Sequence, residues 1–120
     1  MAKQRVLIAD DEESYRFILN NQLTEAGYTV FVAADGDEAI KTLKAEKIDV
    51  ALVDINMPKI GGLGVMKFIK EQRLKTQVIV LTGYADLRVA MEAKENGAVD
   101  FINKPFTLSD VLSSIKQAIK

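Results

Sequence analysis

The 120-residue chain contains no cysteine and no histidine. Without cysteine there is no disulfide framework and no thiolate chemistry. Without histidine, a Ser-His-Asp triad, a His-ligated zinc site and a phosphohistidine on this chain are excluded. No apolar run approaches the ~20 residues of a membrane span. An excess of one charge is also missing: 16 Lys and Arg against 17 Asp and Glu leave a net charge of −1. Composition therefore gives no case for direct nucleic-acid binding or for a membrane partner. The opening MAKQR passes straight into a strand-like run, unlike a secretory signal, so a cytoplasmic protein is expected. What is present is ordinary for a globular chain, 48% apolar and 28% charged, and residues 1–120 are expected to form one domain with a real core. Chemistry must come from Asp, Glu, Lys, Thr and Ser.

Five short apolar runs alternate with helix-like segments. The runs are RVLIA (5–9), YTVFVA (28–33), VALV (50–53), VIVL (78–81) and VDFI (99–102). Ile18, Leu19, Leu23 and Ala26 follow helical spacing, with Gly27 as the C-terminal stop. Asp35 and Glu38 fit a capping box ahead of Ala39, Ile40 and Leu43. Val65, Met66 and Ile69 mark a third helix, and Val89, Ala90 and Ala93 a fourth. Leu108, Val111, Leu112, Ile115 and Ile119 mark a fifth, with Thr107 as N-cap. This (βα)5 alternation predicts an α/β fold, a doubly wound parallel sheet with helices on both faces. Runs one, three and four are apolar on both faces and belong inside the sheet. Run two carries Thr29, and run five is short and carries Asp100, which suits edges. The flavodoxin-like strand order 2-1-3-4-5 satisfies both conditions.

In such sheets ligands bind beyond the carboxyl ends of the strands, where strand order reverses. Here that point lies between strands one and three. Strand one ends in DDEE (10–13), strand three in Asp54, strand four in Thr82 and strand five in NKPF (103–106), which carries Lys104 and Pro105. Asp10, Asp11 and Asp54 are expected to converge. Two like charges ~4 Å apart cost about 4 kcal/mol at an effective dielectric near 20, so three acids need compensation. Lys104 offers one positive charge. A hard divalent cation is the natural supplement, and few protein ligands with room for water and phosphate oxygens suit Mg2+ better than Ca2+. A carboxylate in that position can act as nucleophile and form an acyl phosphate. Lys104 and the metal would neutralise phosphoryl charge, and Thr82 could donate a hydrogen bond. The loop after Asp54, with Pro58, Gly61 and Gly62, lets the backbone fold back near the metal.

Each group has a blander alternative. Asp10 and Asp11 could cap the first helix. Asp54 could be a turn acid and Thr82 a structural strand end. Lys104 could be a solvated lysine whose stem lies along the surface, and Pro105 a helix-start proline. The chemical reading rests on convergence of all of them.

The segments VLIADDEE, VDINMPKIGG, VIVLTGYAD and GAVDFINKPF stand in this order over essentially the whole chain. Together they resemble the response regulator receiver domain of bacterial two-component signalling, with TGYAD closest to receivers of the nitrogen-regulation type. The resemblance implies that Asp54 is the phosphoacceptor and that Asp11 binds Mg2+ directly. It implies that Asp10 acts mainly through water and that the Asn56 carbonyl completes the metal site. Thr82 would be the switch hydroxyl, Lys104 the phosphoryl-contacting lysine and Phe101 the switch aromatic. The Lys104–Pro105 bond would be cis. Asn56 and Tyr84 would tune access of the hydrolytic water. The implied donor is a sensor histidine kinase or a histidine phosphotransfer domain. Output would pass through the surface of helix four, strand five and helix five to a protein target, as a monomer or a weak phosphorylation-dependent dimer. Such a domain catalyses only its own phosphorylation and dephosphorylation.

Phe101 stands where tyrosine is frequent in the family, so a hydroxyl contact is lost. Gly61 stands where many relatives have Asp. The apolar stripe of the fifth helix packs on the sheet; Ser109, Ser113, Lys116 and Lys120 face outward and could meet a partner or only solvent. Three rival readings stay open. A haloacid dehalogenase-type phosphatase would need an acid where Asn56 stands. A flavodoxin would need a phosphate loop where DDEE stands. A docking-only receiver would not need the intact Asp10, Asp11, Asp54, Thr82 and Lys104 set.

Overall fold

Each apolar run becomes a parallel strand, and each intervening segment a helix. The computed structural model describes residues 3–57, 59–83 and 87–119. Pro58, Tyr84 and Lys120, each given a place by the sequence, lie outside the described residues, as do the side chains of Val89 and Ala90. In chain order the elements are β1 (Arg5–Ala9), α1 (Glu13–Glu25), β2 (Thr29–Ala33), α2 (Gly36–Ala45), β3 (Val50–Asp54), α3 (Gly62–Glu71), β4 (Gln77–Thr82), α4 (Leu87–Glu95), β5 (Ala98–Asn103) and α5 (Leu108–Ala118). The sheet runs β2-β1-β3-β4-β5, with every neighbouring pair parallel. This is the flavodoxin-like order that the polarity of the five runs satisfies. The chain winds outward from β1 in both directions, which opens a crevice beyond the carboxyl ends of β1 and β3.

Period-two alternation sends each central strand into two cores. Leu7, Ala51, Val53, Val78 and Val80 face Ala39 and Leu43 of α2 and Val65, Met66 and Ile69 of α3. Val6, Ile8, Val50, Leu52, Ile79 and Leu81 face Leu19 and Leu23 of α1 and Val111 and Ile115 of α5. All of these are buried. Strands β1, β3 and β4 are thus clamped on both faces, which fixes their ends rigidly. The edges are looser: Val99 and Asp100 of β5 are exposed.

Helix one departs from the predicted stripe. Spacing places Ile18, Leu19, Leu23 and Ala26 together, but only Leu19 and Leu23 are buried, while Ile18 is 49% and Phe17 67% exposed. Leu19 and Leu23 are one helical turn apart and define the inward line; Ile18 is about 100° around from Leu19. Ala26 is already the C-cap, where the chain turns outward and Gly27 takes a left-handed φ of 101°.

Both predicted N-caps form, with one difference. Asp35 accepts from the Glu38 N–H at 2.9 Å, but the Glu38 carboxylate reaches past Asp35 to the Ala34 N–H, also 2.9 Å. The Glu38 N–H bond, helped by Lys59, holds the Asp35 carboxyl below its usual range despite burial. At α5 the reciprocal box is complete: Thr107 and Asp110 exchange side chain-to-backbone bonds of 3.1 Å each. Thr107→Ala should lower stability by about 1 kcal/mol, read as a shifted urea midpoint with an unchanged slope. No shift would mean that α5 is held by Val111 and Ile115 alone.

Candidate functional site

The sheet delivers its polar groups at strand ends. Asp54 is the last residue of β3, one residue further into the strand than its apolar run suggests, and Thr82 is the last of β4. Asp10 follows β1 directly, and its N–H donates to Ala33 O of the neighbouring β2 at 3.1 Å. Asp10 and Thr82 are fully buried, and Asp54 is 5% exposed. Lys104 follows β5; its N–H donates to Thr82 O at 2.7 Å, and its bond to Pro105 is cis. The root of this lysine is therefore tied to the end of β4.

The Lys104 ammonium is the centre of the site. Nζ lies 2.7 Å from Asp10 Oδ2, 3.0 Å from Asp54 Oδ2 and 3.4 Å from Glu12 Oε1. Its side chain is only 6% exposed, so it is not the solvated lysine of the blander alternative. Carboxylate oxygens of Asp10, Asp11, Glu12 and Asp54 all lie within 4.8 Å of one another. Asp10, Asp11 and Asp54 do meet, and neither aspartate of the first loop caps α1, whose N-cap is Glu12. Glu12 is the member that strand-end reasoning missed. Its signal was the unbroken acidic run, but only the turn into α1 shows that its carboxylate bends back toward Lys104.

The remaining bonds aim these groups. Asp10 Oδ1 accepts from the Glu12 N–H at 2.9 Å, and Asp54 Oδ1 accepts from the Asn56 N–H at 3.0 Å. Each carboxylate is thus held by a backbone amide two residues on, with its second oxygen turned to the lysine. The Asn56 side chain is exposed beside this turn. Phe101 lies further from the cluster, paired in register with Val80 on β5 and packed against the α2–α3 core.

Electrostatics is unbalanced. Burial raises the Asp54 carboxyl pKa, against the Asn56 N–H and Lys104 that lower it, and the Asp10 charge adds to the rise. Burial works against the Lys104 ammonium too, but hydrogen bonds and charge from Asp10 and Asp54 outweigh it and raise its pKa. One cation is shared among Asp10, Glu12 and Asp54, and the lysine is held firmly charged. Asp10 Oδ2 carries the same message: it is ion-paired to Nζ, yet as a buried atom it accepts no well-aligned hydrogen bond among the described residues. An all-carboxylate donor set that includes a buried oxygen facing only the lysine among the described residues fits a hard divalent cation.

The sequence profile of the response regulator receiver domain matches residues 6–116. Among curated proteins, the chain is 37% identical over 119 residues to the DNA-binding transcriptional regulator NtrC of Proteus hauseri, covering 99% of this chain but 25% of that protein. The chain spans about a quarter of the length of such relatives. Among solved structures, a CheY-like response regulator receiver domain protein from Methanospirillum hungatei superposes with a TM-score of 0.94 at 30% identity, covering 98% of this chain and 94% of that one. A response regulator from Burkholderia pseudomallei superposes with a TM-score of 0.88 at 30% identity, covering 94% and 66%; it contains a phosphorylated aspartic acid and a calcium ion.

Proposed function

This chain belongs to the response regulator receiver domain family, whose members act in phosphorylation-dependent two-component signalling, and from that premise we propose that Asp54 is its phosphoacceptor. The observation that carries the proposal is the convergence of Asp10 and Asp54 on the buried Lys104 ammonium at the sheet crevice. The phosphoryl donor is a sensor histidine kinase or a histidine phosphotransfer domain. An Asp54 oxygen forms the new P–O bond while the P–N bond of the donor phosphohistidine breaks. Asp11, Asp54 and the Asn56 carbonyl would hold Mg2+, with Asp10 acting through water, and the ion would supply charge neutralisation on the phosphoryl oxygens. Lys104 leaves its contact with Asp54 Oδ2 to pair with the incoming phosphoryl group, and Thr82 donates to another of its oxygens. Asn56 and Tyr84 tune the later attack of water.

The test is intact mass after incubation with acetyl phosphate, with and without Mg2+, beside Asp54→Ala. A Mg2+-dependent gain of one phosphoryl group, absent in the variant, is expected. No gain in folded wild-type protein would overturn the proposal and favour a docking-only receiver.

Output follows from Thr82 and Phe101. Movement of Thr82 toward the phosphoryl group frees space beside β4, and Phe101 turns in to fill it. Phe101 lines clefts on both flanks of β5, one of about 450 Å³ against α5 and one of about 310 Å³ against α4. Its rotation therefore alters the α4-β5-α5 surface that meets a downstream protein. This is a population shift driven by contacts that only the phosphorylated state makes. Thr82→Ala should accept phosphate within about tenfold of the wild-type rate, since one hydrogen bond to a charged phosphoryl oxygen is worth roughly 1.5 kcal/mol. It should lose most of the phosphorylation-induced change in Phe101 ring resonances. A full Phe101 response in the variant would remove Thr82 from the relay.

A further inference from the structure

The Lys104 ammonium has a fourth neighbour besides its three carboxylates. Nζ sits 4.3 Å from the centre of the Tyr15 ring. That ring packs on Phe106 with centroids 5.4 Å apart and planes tilted by 37°. Tyr15 is on the first turn of α1, and Phe106 is two residues past Lys104. An aromatic face attracts a cation through its quadrupole, most strongly where water is excluded. A leucine there would exclude water equally well but would not attract the charge.

We propose that Tyr15 is a positioning residue: its ring face, backed by Phe106, holds the Lys104 ammonium at the junction of Asp10 and Asp54, aimed at the phosphoryl group. The inference rests on phosphoryl transfer to Asp54. The ring offers a pull from outside the acidic cluster. With Mg2+ bound, Asp10 and Asp54 would share their charge with it and hold Nζ less tightly, while the pull of the ring would be unchanged. Lys104 then stays in place for the incoming phosphate instead of swinging to solvent. Phe106 fixes the ring's tilt, so Tyr15 is set by the same segment that carries the lysine.

The variants are Tyr15→Phe, which keeps the ring, and Tyr15→Leu, which keeps apolar bulk alone. Urea unfolding verifies that each is folded, with Tyr15→Met replacing the leucine variant if that one is not. Two quantities are read. The first is the initial rate of phosphorylation by acetyl phosphate at saturating Mg2+. The second is the proton shift of the Lys104 ε-methylene, which a ring face moves upfield. Tyr15→Phe should keep the rate within about twofold and keep the upfield shift; Tyr15→Leu should lose about tenfold in rate and return the methylene to the position of exposed lysines. A leucine variant with the wild-type rate, or a wild-type methylene without an upfield shift, overturns the inference alone. Absence of phosphorylation in the wild type overturns the reading of the site, and this inference with it.

Discussion

Lys104→Met should destabilise the metal-free protein by about 2–4 kcal/mol, since removing one partner of a buried ion pair strands the other. Two buried carboxylates, Asp10 and Asp54, lose their shared cation. The low end of the range is set by the opening of the site toward Asp11 and Glu12, both exposed, through which water can reach the stranded charges. Asp54→Asn should act in the opposite direction. Its carboxyl pKa is raised, chiefly by burial, so the folded state holds that proton more tightly than the unfolded chain. Above the ordinary carboxylate range the ionised Asp54 therefore costs stability, and asparagine removes the cost. For the lysine the sign reverses. Its raised pKa contributes stability that is present below the ordinary lysine range and lost only as pH climbs through the folded value. Urea unfolding of the two single variants and the double variant, at neutral pH with chelator, checks the whole set. The double variant should recover more stability than Asp54→Asn adds alone. Strict additivity would mean that Lys104 and Asp54 do not share their charge as the geometry indicates. Transfer from acetyl phosphate should also fall about 100-fold or more in Lys104→Met, the scale of losing one charged transition-state contact.

Gly36→Ala is the second large effect, and it lies outside the cluster. A Cβ at residue 36 would stand 1.9 Å from Ile60 O and 2.6 Å from Ile60 C. Both are backbone atoms, so no side-chain rotation relieves the overlap. Either the start of α2 or the loop after β3 must move. That loop carries Asn56, and it is also held to α2 by the Lys59–Asp35 ion pair at 3.5 Å. The substitution should cost about 2–4 kcal/mol, in the range of overpacking at a close backbone contact. It should also weaken Mg2+ binding several-fold by displacing the Asn56 carbonyl. Thermal unfolding with and without Mg2+ reads both effects. A stable variant with normal Mg2+ stabilisation would show that the loop yields at no cost to the metal site.

What could be read from the chain beforehand followed from periodicity. Apolarity on both faces placed β1, β3 and β4 inside the sheet, and parallel connectivity then brought residues 10, 54, 82 and 104 to one edge. What could not be read depends on neighbours across loops. Glu12 looks like any helix-start acid until α1 sets its angle. Tyr15 meets a lysine 89 positions away (104 − 15) through a contact that no spacing rule encodes. Gly36 reads as a helix-start glycine until the loop from β3 folds against it. The exposure of Phe17 and Ile18 shows the same boundary. Spacing gives a stripe, while tertiary packing decides its width.

The tether between the Lys104 N–H and Thr82 O has a consequence for the timing of synthesis. Asp10 and Asp54 are made early, but their shared cation belongs to the segment after the fifth strand. That segment is seated only when β5 has added to β4. A nascent chain that has emerged only to β4 already carries Asp10, Asp54 and Thr82, but not the ammonium that the two buried carboxylates share. The charge balance of the crevice is thus completed only with the last strand of the sheet.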